Sequence, residues 1–183
     1  MGFSFLPVTV EQTLRGLALN RTPGYHYTGN FLEFSFERVT EPLVHMTMPA
    51  GPHITEANGN CNYAMVAVFA DMAMAANIRA GHQPYSRLAT VQMNLQFTGA
   101  PMTGALQLES RLQDYIAGIT SKQGATTVTV TANGKPVCLG TGAFMVMPTA
   151  ATDPAGAVAG AFYFNTGNSK VRVYNGSSWV NAV

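Results

Sequence analysis

Residues 60–79 read NCNYAMVAVFADMAMAANIR, and the fold turns on how that stretch is interpreted. From Ala64 to Ala76 every residue except Asp71 is apolar. A membrane-crossing helix takes about 20 predominantly apolar residues. This run is shorter; Asn60 and Asn62 precede it, and Asn77, Arg79 and His82 close it. It reads as a buried helix, capped by Asn60 or Asn62 and ending near Arg79, before Gly81 and Pro84. About 18 residues give a rod about 27 Å long. Because it is apolar nearly all round, other elements must cover nearly every face of it.

Outward from that helix the pattern changes to strands. Before it, FLEFSFER (31–38) alternates like a half-buried strand, and PLVHMTMP (42–49) reads as a second, followed by the turn-rich AGPHITEANGN. After it, RLATVQMNLQFT (87–98) places Val91, Met93, Leu95 and Phe97 on one face. ALQLESRLQDYIA (105–117), ATTVTVTA (125–132) and PVCLGTGAFMVM (136–147) follow, and the last two are joined by the hairpin dipeptide Asn133-Gly134. Two strands, one segregated helix and four more strands indicate an α+β domain over residues 1–148. Residues 9–20 add a short amphipathic helix through Leu14, Leu17 and Leu19. The Ala/Gly-rich stretch 149–160 reads as a linker, and 161–183 as a short β-rich extension with three strand-like pieces, too small to hold a core alone.

Composition narrows the function classes. Charged residues are 10% of the chain, against roughly 25% in an average soluble domain, which fits an oligomer that buries much of its exterior. A net charge of +1 argues against electrostatic capture of nucleic acid. Two cysteines, Cys61 and Cys138, make neither a disulfide framework nor a CxxC metal site. His53 and His82 lack ligand-like spacing to a second His or Cys, so no metal is expected. The N-terminal MGFSFLPVTVEQTL has no basic region followed by a long apolar core, which leaves a cytoplasmic location as the expectation.

Over residues 31–147 the chain resembles the hotdog-fold thioesterase superfamily, in particular its phenylacetyl-CoA and small acyl-CoA branch. The residues that carry the resemblance are ITEANGNCNYA, AMVAVFADMAMAA, LATVQMNLQFTGAP and NGKPVCLGTGAFMV. It implies an antiparallel sheet wrapped around a long central helix. It also implies hydrolysis of acyl thioesters, with coenzyme A arriving as part of the substrate and no other cofactor, in a homodimer or a dimer of dimers. The family's acidic helix residue falls on Asp71, its small hydroxyl residue on the next strand on Thr90, and its polar residue before the helix near Glu56 or Asn58. Its His-Gly-Gly falls on Asn62, Tyr63 and Ala64, which do not match it. The end of the chain, GAFYFNTGNSKVRVYNGSSWV, resembles a short module of phage tail and surface proteins.

The residues themselves point the same way. Asp71 has Ala67, Val68, Met74 and Ala75 as its helical neighbours, none able to pair with a carboxylate. A buried Asp there needs a partner from another element or a raised pKa, and either suits a general base or nucleophile. The free N–H groups of Tyr63 or Ala64 at the helix start suit developing charge on a thioester oxygen. Tyr63 and Asp71 are eight residues apart, about 12 Å along a helix, too far to act on one carbonyl from one chain. Two antiparallel helices bring Tyr63 of one chain opposite Asp71 of the other, which predicts a homodimer with shared sites. Thr90 is placed to orient Asp71 or a water, Glu56 and Asn58 to position water or substrate, and Arg87, Arg111 and Lys122 to meet the phosphates of coenzyme A. The absence of a GxSxG elbow leaves a Ser-His-Asp triad unsupported. Two rival readings are an acyl-thioester binder without turnover and a phage-like structural protein.

Overall fold

The computed structural model describes residues 27–82, 87–117 and 122–182. The helix expected over 9–20 lies outside them. The described chain begins with α1 (Tyr27–Leu32), β1 (Ser35–Val39), β2 (Leu43–Met48) and α2 (Tyr63–Ala80). Four long strands follow: β3 (Arg87–Phe97), β4 (Leu106–Ala117), β5 (Lys122–Ala132) and β6 (Lys135–Met147). The six strands form one sheet in the order β1-β2-β4-β5-β6-β3, antiparallel at every pairing. The expected α+β class and the single helix packed on a large antiparallel sheet are both present.

One strand was misplaced by the sequence pattern. Phe31 belongs to α1, Glu33 is left-handed (φ 55°), and the strand begins only at Ser35. The reason lies in the spacing: Phe34 and Phe36 keep the two-residue period of a strand, but Phe31 and Phe34 are three apart, the spacing of a helical turn. In the structure Phe31 meets the His53 ring edge-on, while Phe34 packs on Phe36 and on Phe69 of α2.

α2 buries Val66, Phe69, Ala70, Ala73, Met74, Asn77 and Ile78, a stripe at i, i+3 and i+4 spacing. The sheet meets it with Met46, Leu108, Val128, Val130 and Phe144. Each large side chain fully buried there contributes roughly 1.5–3 kcal/mol. The close approach needs two glycines: a Cβ on Gly124 would stand 2.1 Å from Ile78 Cδ1, and one on Gly142 2.9 Å from Met74 Sδ. Asn77 is fully buried, yet its amide donates to the carbonyls of Thr40 and Glu41 and its oxygen accepts from the Ser110 hydroxyl. It ties the far end of α2 to the β1–β2 turn and to β4.

The sheet does not surround α2. Tyr63, Ala64, Ala67, Val68, Asp71, Met72 and Ala75 remain exposed or half-buried on its other side. Among the described residues the sheet covers one stripe of α2 fully and the other side only in part.

Residues 149–182 build a second sheet in the order β10-β9-β8-β7. It comprises β7 (Thr149–Ala150), β8 (Phe162–Asn165), β9 (Lys170–Tyr174) and β10 (Trp179–Asn181). Too small for an apolar core, it is organised by polar contacts. Arg172 clasps Asp153 through Nε (3.1 Å) and Nη2 (2.8 Å), and the buried Tyr163 hydroxyl donates to the same carboxylate at 2.6 Å. Trp179, the chain's single tryptophan, packs edge-on against Tyr163 at 4.9 Å. The Tyr163 and Arg172 hydrogen bonds hold the Asp153 carboxyl below its ordinary value. A depressed carboxyl pKa contributes stability above the unfolded value, near about 3.9, that is lost as pH falls through the folded one. Trp179 emission should therefore shift to the red on acidification below about pH 4, and Asp153→Asn should show that shift at neutral pH. A fluorescence titration checks this; a spectrum flat in pH until the whole chain unfolds would remove Asp153 from the account.

Candidate active site

Asp71 sits on the open face of α2, half-buried rather than buried. Its partner comes from the sheet: the Thr90 hydroxyl donates to Asp71 Oδ1 at 2.8 Å. That contact depends on an irregularity in β3. Thr90 pairs with Phe144 but Gln92 pairs with Ala143, so one residue is extra between them. Side chains alternate along a strand, and a bulge reverses the alternation. Leu88 and Thr90 before the bulge, and Met93, Leu95 and Phe97 after it, therefore all share the helix-side register with Val146, Phe144, Gly142, Gly140 and Cys138. Val91 leaves the apolar set to which simple alternation assigned it, and it is 53% exposed. Asp71 Oδ2 has no hydrogen bond among the described residues.

The start of α2 is arranged by the loop before it. Of the two candidate caps, Asn62 is the one used: its Oδ1 accepts from the Ala64 N–H at 2.8 Å. Its amide in turn donates to Glu56 Oε1 at 3.0 Å. Asn60 instead bonds the Met102 N–H through its side chain, and Asn58 caps the turn at the Asn60 N–H. Glu56 and Asn58 thus hold the loop and the cap, and neither contacts Asp71. Of the two candidate oxyanion donors, Ala64 N–H is occupied by the cap, while Tyr63 N–H has no acceptor among the described residues. The Tyr63 ring is 50% exposed and stands edge-on to Phe97 at 4.5 Å.

Of the basic candidates, Arg111 is turned away from Asp71. Ser110 faces α2, so Arg111 is on the outer face of the sheet, where its Nε meets Glu109 at 2.6 Å. Glu109 also takes His45 at 3.1 Å, and the Arg111 hydrogen bond, followed by that of His45, lowers its pKa. Arg87 and Lys122 lie at the starts of β3 and β5, and their side chains are outside the description. A concavity of about 420 Å³ opens on the outer face between Glu37, His45, Gln107 and Thr131, remote from Asp71. The thiols are not alternative nucleophiles. Burial, followed by the Glu56 charge, pushes Cys61 up to about 11, and burial raises Cys138; both stay protonated and unreactive at neutral pH.

Two features of the site were not fixed by the residues: the β3 bulge, and which N–H the cap occupies, a choice that the alternative caps Asn60 and Asn62 left open. A third, the Tyr63–Phe97 pair, joins two residues legible singly but not as neighbours.

No protein-family model matches the chain, and no curated protein does. Solved structures do match. A Bacillus halodurans protein solved with CoA superposes with a TM-score of 0.62 at 17% identity, over 75% of this chain and 90% of that one. A mutant of a thioesterase enzyme from Staphylococcus aureus gives 0.60 at 11%, over 67% and 100%. A phenylacetic acid degradation-related protein of Ralstonia eutropha gives 0.58 at 20%, over 74% and 98%. The chain has the hotdog fold. At these identities the likeness is one of architecture.

The cap link generates a stability test. Asn62→Ala should cost about 0.5–2 kcal/mol, read as a lower urea midpoint. Glu56→Gln should keep most of that stability, since a carboxamide oxygen still accepts from Asn62. Equal midpoints for wild type and Asn62→Ala would show that the cap contributes nothing.

Proposed function

We propose that the chain is an acyl-CoA thioesterase whose catalytic carboxylate is Asp71. The observation that carries this reading is the Asp71–Thr90 pair: a carboxylate on the open helix face, oriented through one oxygen at 2.8 Å and without a hydrogen bond at the other among the described residues. Water held at Oδ2 attacks the thioester carbon while Asp71 takes its proton. The carbonyl oxygen, negative in the tetrahedral intermediate, is met by a helix N-terminal N–H. The C–S bond then breaks, releasing the carboxylic acid and the free thiol of coenzyme A. Direct attack by the carboxylate is the alternative route through the same residue. A thioesterase of Staphylococcus aureus and a CoA-bound protein of Bacillus halodurans share the fold, which supports the substrate class.

In this reading the working unit is a homodimer. Along α2 the Tyr63 N–H and Asp71 are about 12 Å apart, whereas the reacting atoms need both groups within roughly 3.5 Å. The open face of α2 adjoins β3, an edge strand of 11 residues whose Val91 and Met93 are 53% and 38% exposed. A long exposed edge is a template for pairing. Joining two copies along β3 covers it and sets the second α2 against the first, with Tyr63 of each opposite Asp71 of the other.

One observation favours binding without turnover: Asn62 occupies the Ala64 N–H, leaving a single amide donor at the helix start. Turnover decides between the two. Asp71→Asn should lower kcat/KM on acyl-CoA substrates by at least about 10²-fold while far-UV circular dichroism stays unchanged, and Thr90→Ala should give a smaller loss. Unaltered hydrolysis by Asp71→Asn would remove the carboxylate from the mechanism; acyl-CoA binding by a wild type that releases no thiol would establish the binding reading.

A further inference from the structure

We infer that β3 pairs with β3 of a second copy in a single register, with the two-fold axis through Asn94, and that this register sets the partner's Phe97 beside Asp71. The inference rests on the shared site of the thioesterase reading. Among the described residues β1 and β3 are the two edges of the large sheet. β1 is short and carries Glu37, Arg38 and a bulge between Phe36 and Arg38, devices that keep an edge from pairing. β3 lacks the charges: from Leu88 to Phe97 it holds no charged residue and no proline, and Thr90 to Asn94 are exposed in succession. Its outer-face side chains, Gln92, Asn94 and Gln96, are all carboxamides, each a donor and an acceptor at once. A row of such groups is its own complement under a two-fold axis, which fits a second copy of this strand.

Two contacts fix the register. Toward one end of β3 Thr90 donates to Asp71 at 2.8 Å, and at the other Phe97 meets the Tyr63 ring at 4.5 Å. A site that joins Asp71 of one copy to Tyr63 of the other therefore sets Thr90 against the partner's Phe97. Strand alternation gives the same answer. Residues directly opposite in antiparallel strands share a face, so the helix-side Met93 and Leu95 pair only with helix-side residues. With Asn94 opposite the partner's Asn94, Met93 meets the partner's Leu95 and Gln92 the partner's Gln96. The extra residue between Thr90 and Gln92 then carries Thr90 to the partner's Phe97, helix-side to helix-side. A strand without that residue would carry it to the partner's Thr98. The next registers that keep the faces matched are shifted by two residues, about 6.6 Å, beyond the roughly 3.5 Å within which reacting groups must meet.

Disulfide trapping under mild oxidation tests this, with cysteines placed on the exposed outer face of β3 and the buried Cys61 and Cys138 as a silent background. Asn94→Cys should cross-link to itself, since opposite Cα atoms lie about 4.5–5.5 Å apart and a disulfide spans about 4.4–6.8 Å. Gln92→Cys alone and Gln96→Cys alone should stay uncross-linked, each about 13 Å from its own copy, whereas a mixture of the two should cross-link. The trapped Asn94→Cys dimer should release thiol from acyl-CoA at the wild-type rate. A cross-link of Asn94→Cys to Gln92→Cys or to Gln96→Cys marks a shifted register and overturns the inference. So does a chain that sediments as a monomer, a dimer that none of these cysteines traps, or a trapped dimer that is inactive while wild type is active. A dimer trapped through Asn94→Cys that, like wild type, releases no thiol removes the thioesterase reading and leaves the register standing.

Discussion

A helix apolar on two faces but covered on one is the constraint from which the rest follows. α2 gives Val66, Phe69, Ala73, Met74 and Ile78 to its own sheet, and Gly124 and Gly142 let the two layers close. Asn77 fixes the far end through the Thr40 and Glu41 carbonyls. The opposite face, with Ala67, Val68 and Met72 around Asp71, is only half-covered among the described residues. Leaving that much apolar surface in water forgoes about 25 cal/mol per Å² of burial. The proposed pairing along β3 would recover it and set the proposed active site in the seam between two copies.

Within that seam the chemistry depends on one extra residue. Without the bulge between Thr90 and Gln92, strand alternation would place Thr90 and Met93 on opposite faces of the sheet. The core contact of Leu95 and Phe97 would then be incompatible with a Thr90 hydroxyl aimed at Asp71. The bulge satisfies both, and it leaves Val91 exposed. The same strand thus serves the core, the carboxylate and the proposed subunit contact. At the other end of the site the Glu56–Asn62–Ala64 chain of hydrogen bonds sets the start of α2 and decides which backbone amide stays available.

Much of this was legible in the residues. Periodicity distinguished the long helix from the strands, and a single Asp in an apolar run marked itself. Asn133-Gly134 announced its hairpin, and both residues take positive φ, 51° and 74°. What was hidden belongs to tertiary pairing. The Phe34–Phe36 alternation extends a strand reading back over Phe31, whose spacing of three from Phe34 belongs to a helical turn. The bulge in β3 is a property of its register with β6, and LATVQMNLQF carries no Gly or Pro to mark it. Arg111 meets Glu109 two residues before it on the same face of β4, a pairing that strand alternation allows but does not require, whereas the His45 contact of Glu109 is visible only once β2 and β4 pair.

Whether one site draws on two chains is tested most directly by complementation. Tyr63→Pro deletes the helix-start N–H at the first helical position, where proline is well tolerated; Asp71→Asn deletes the carboxylate. Each protein alone should be nearly inactive. Mixed under conditions that exchange subunits, they should recover about a quarter of the wild-type thioesterase rate, since random pairing makes half the dimers mixed and each mixed dimer holds one intact site of two. A mixture as inactive as its components would contradict a site shared between two chains.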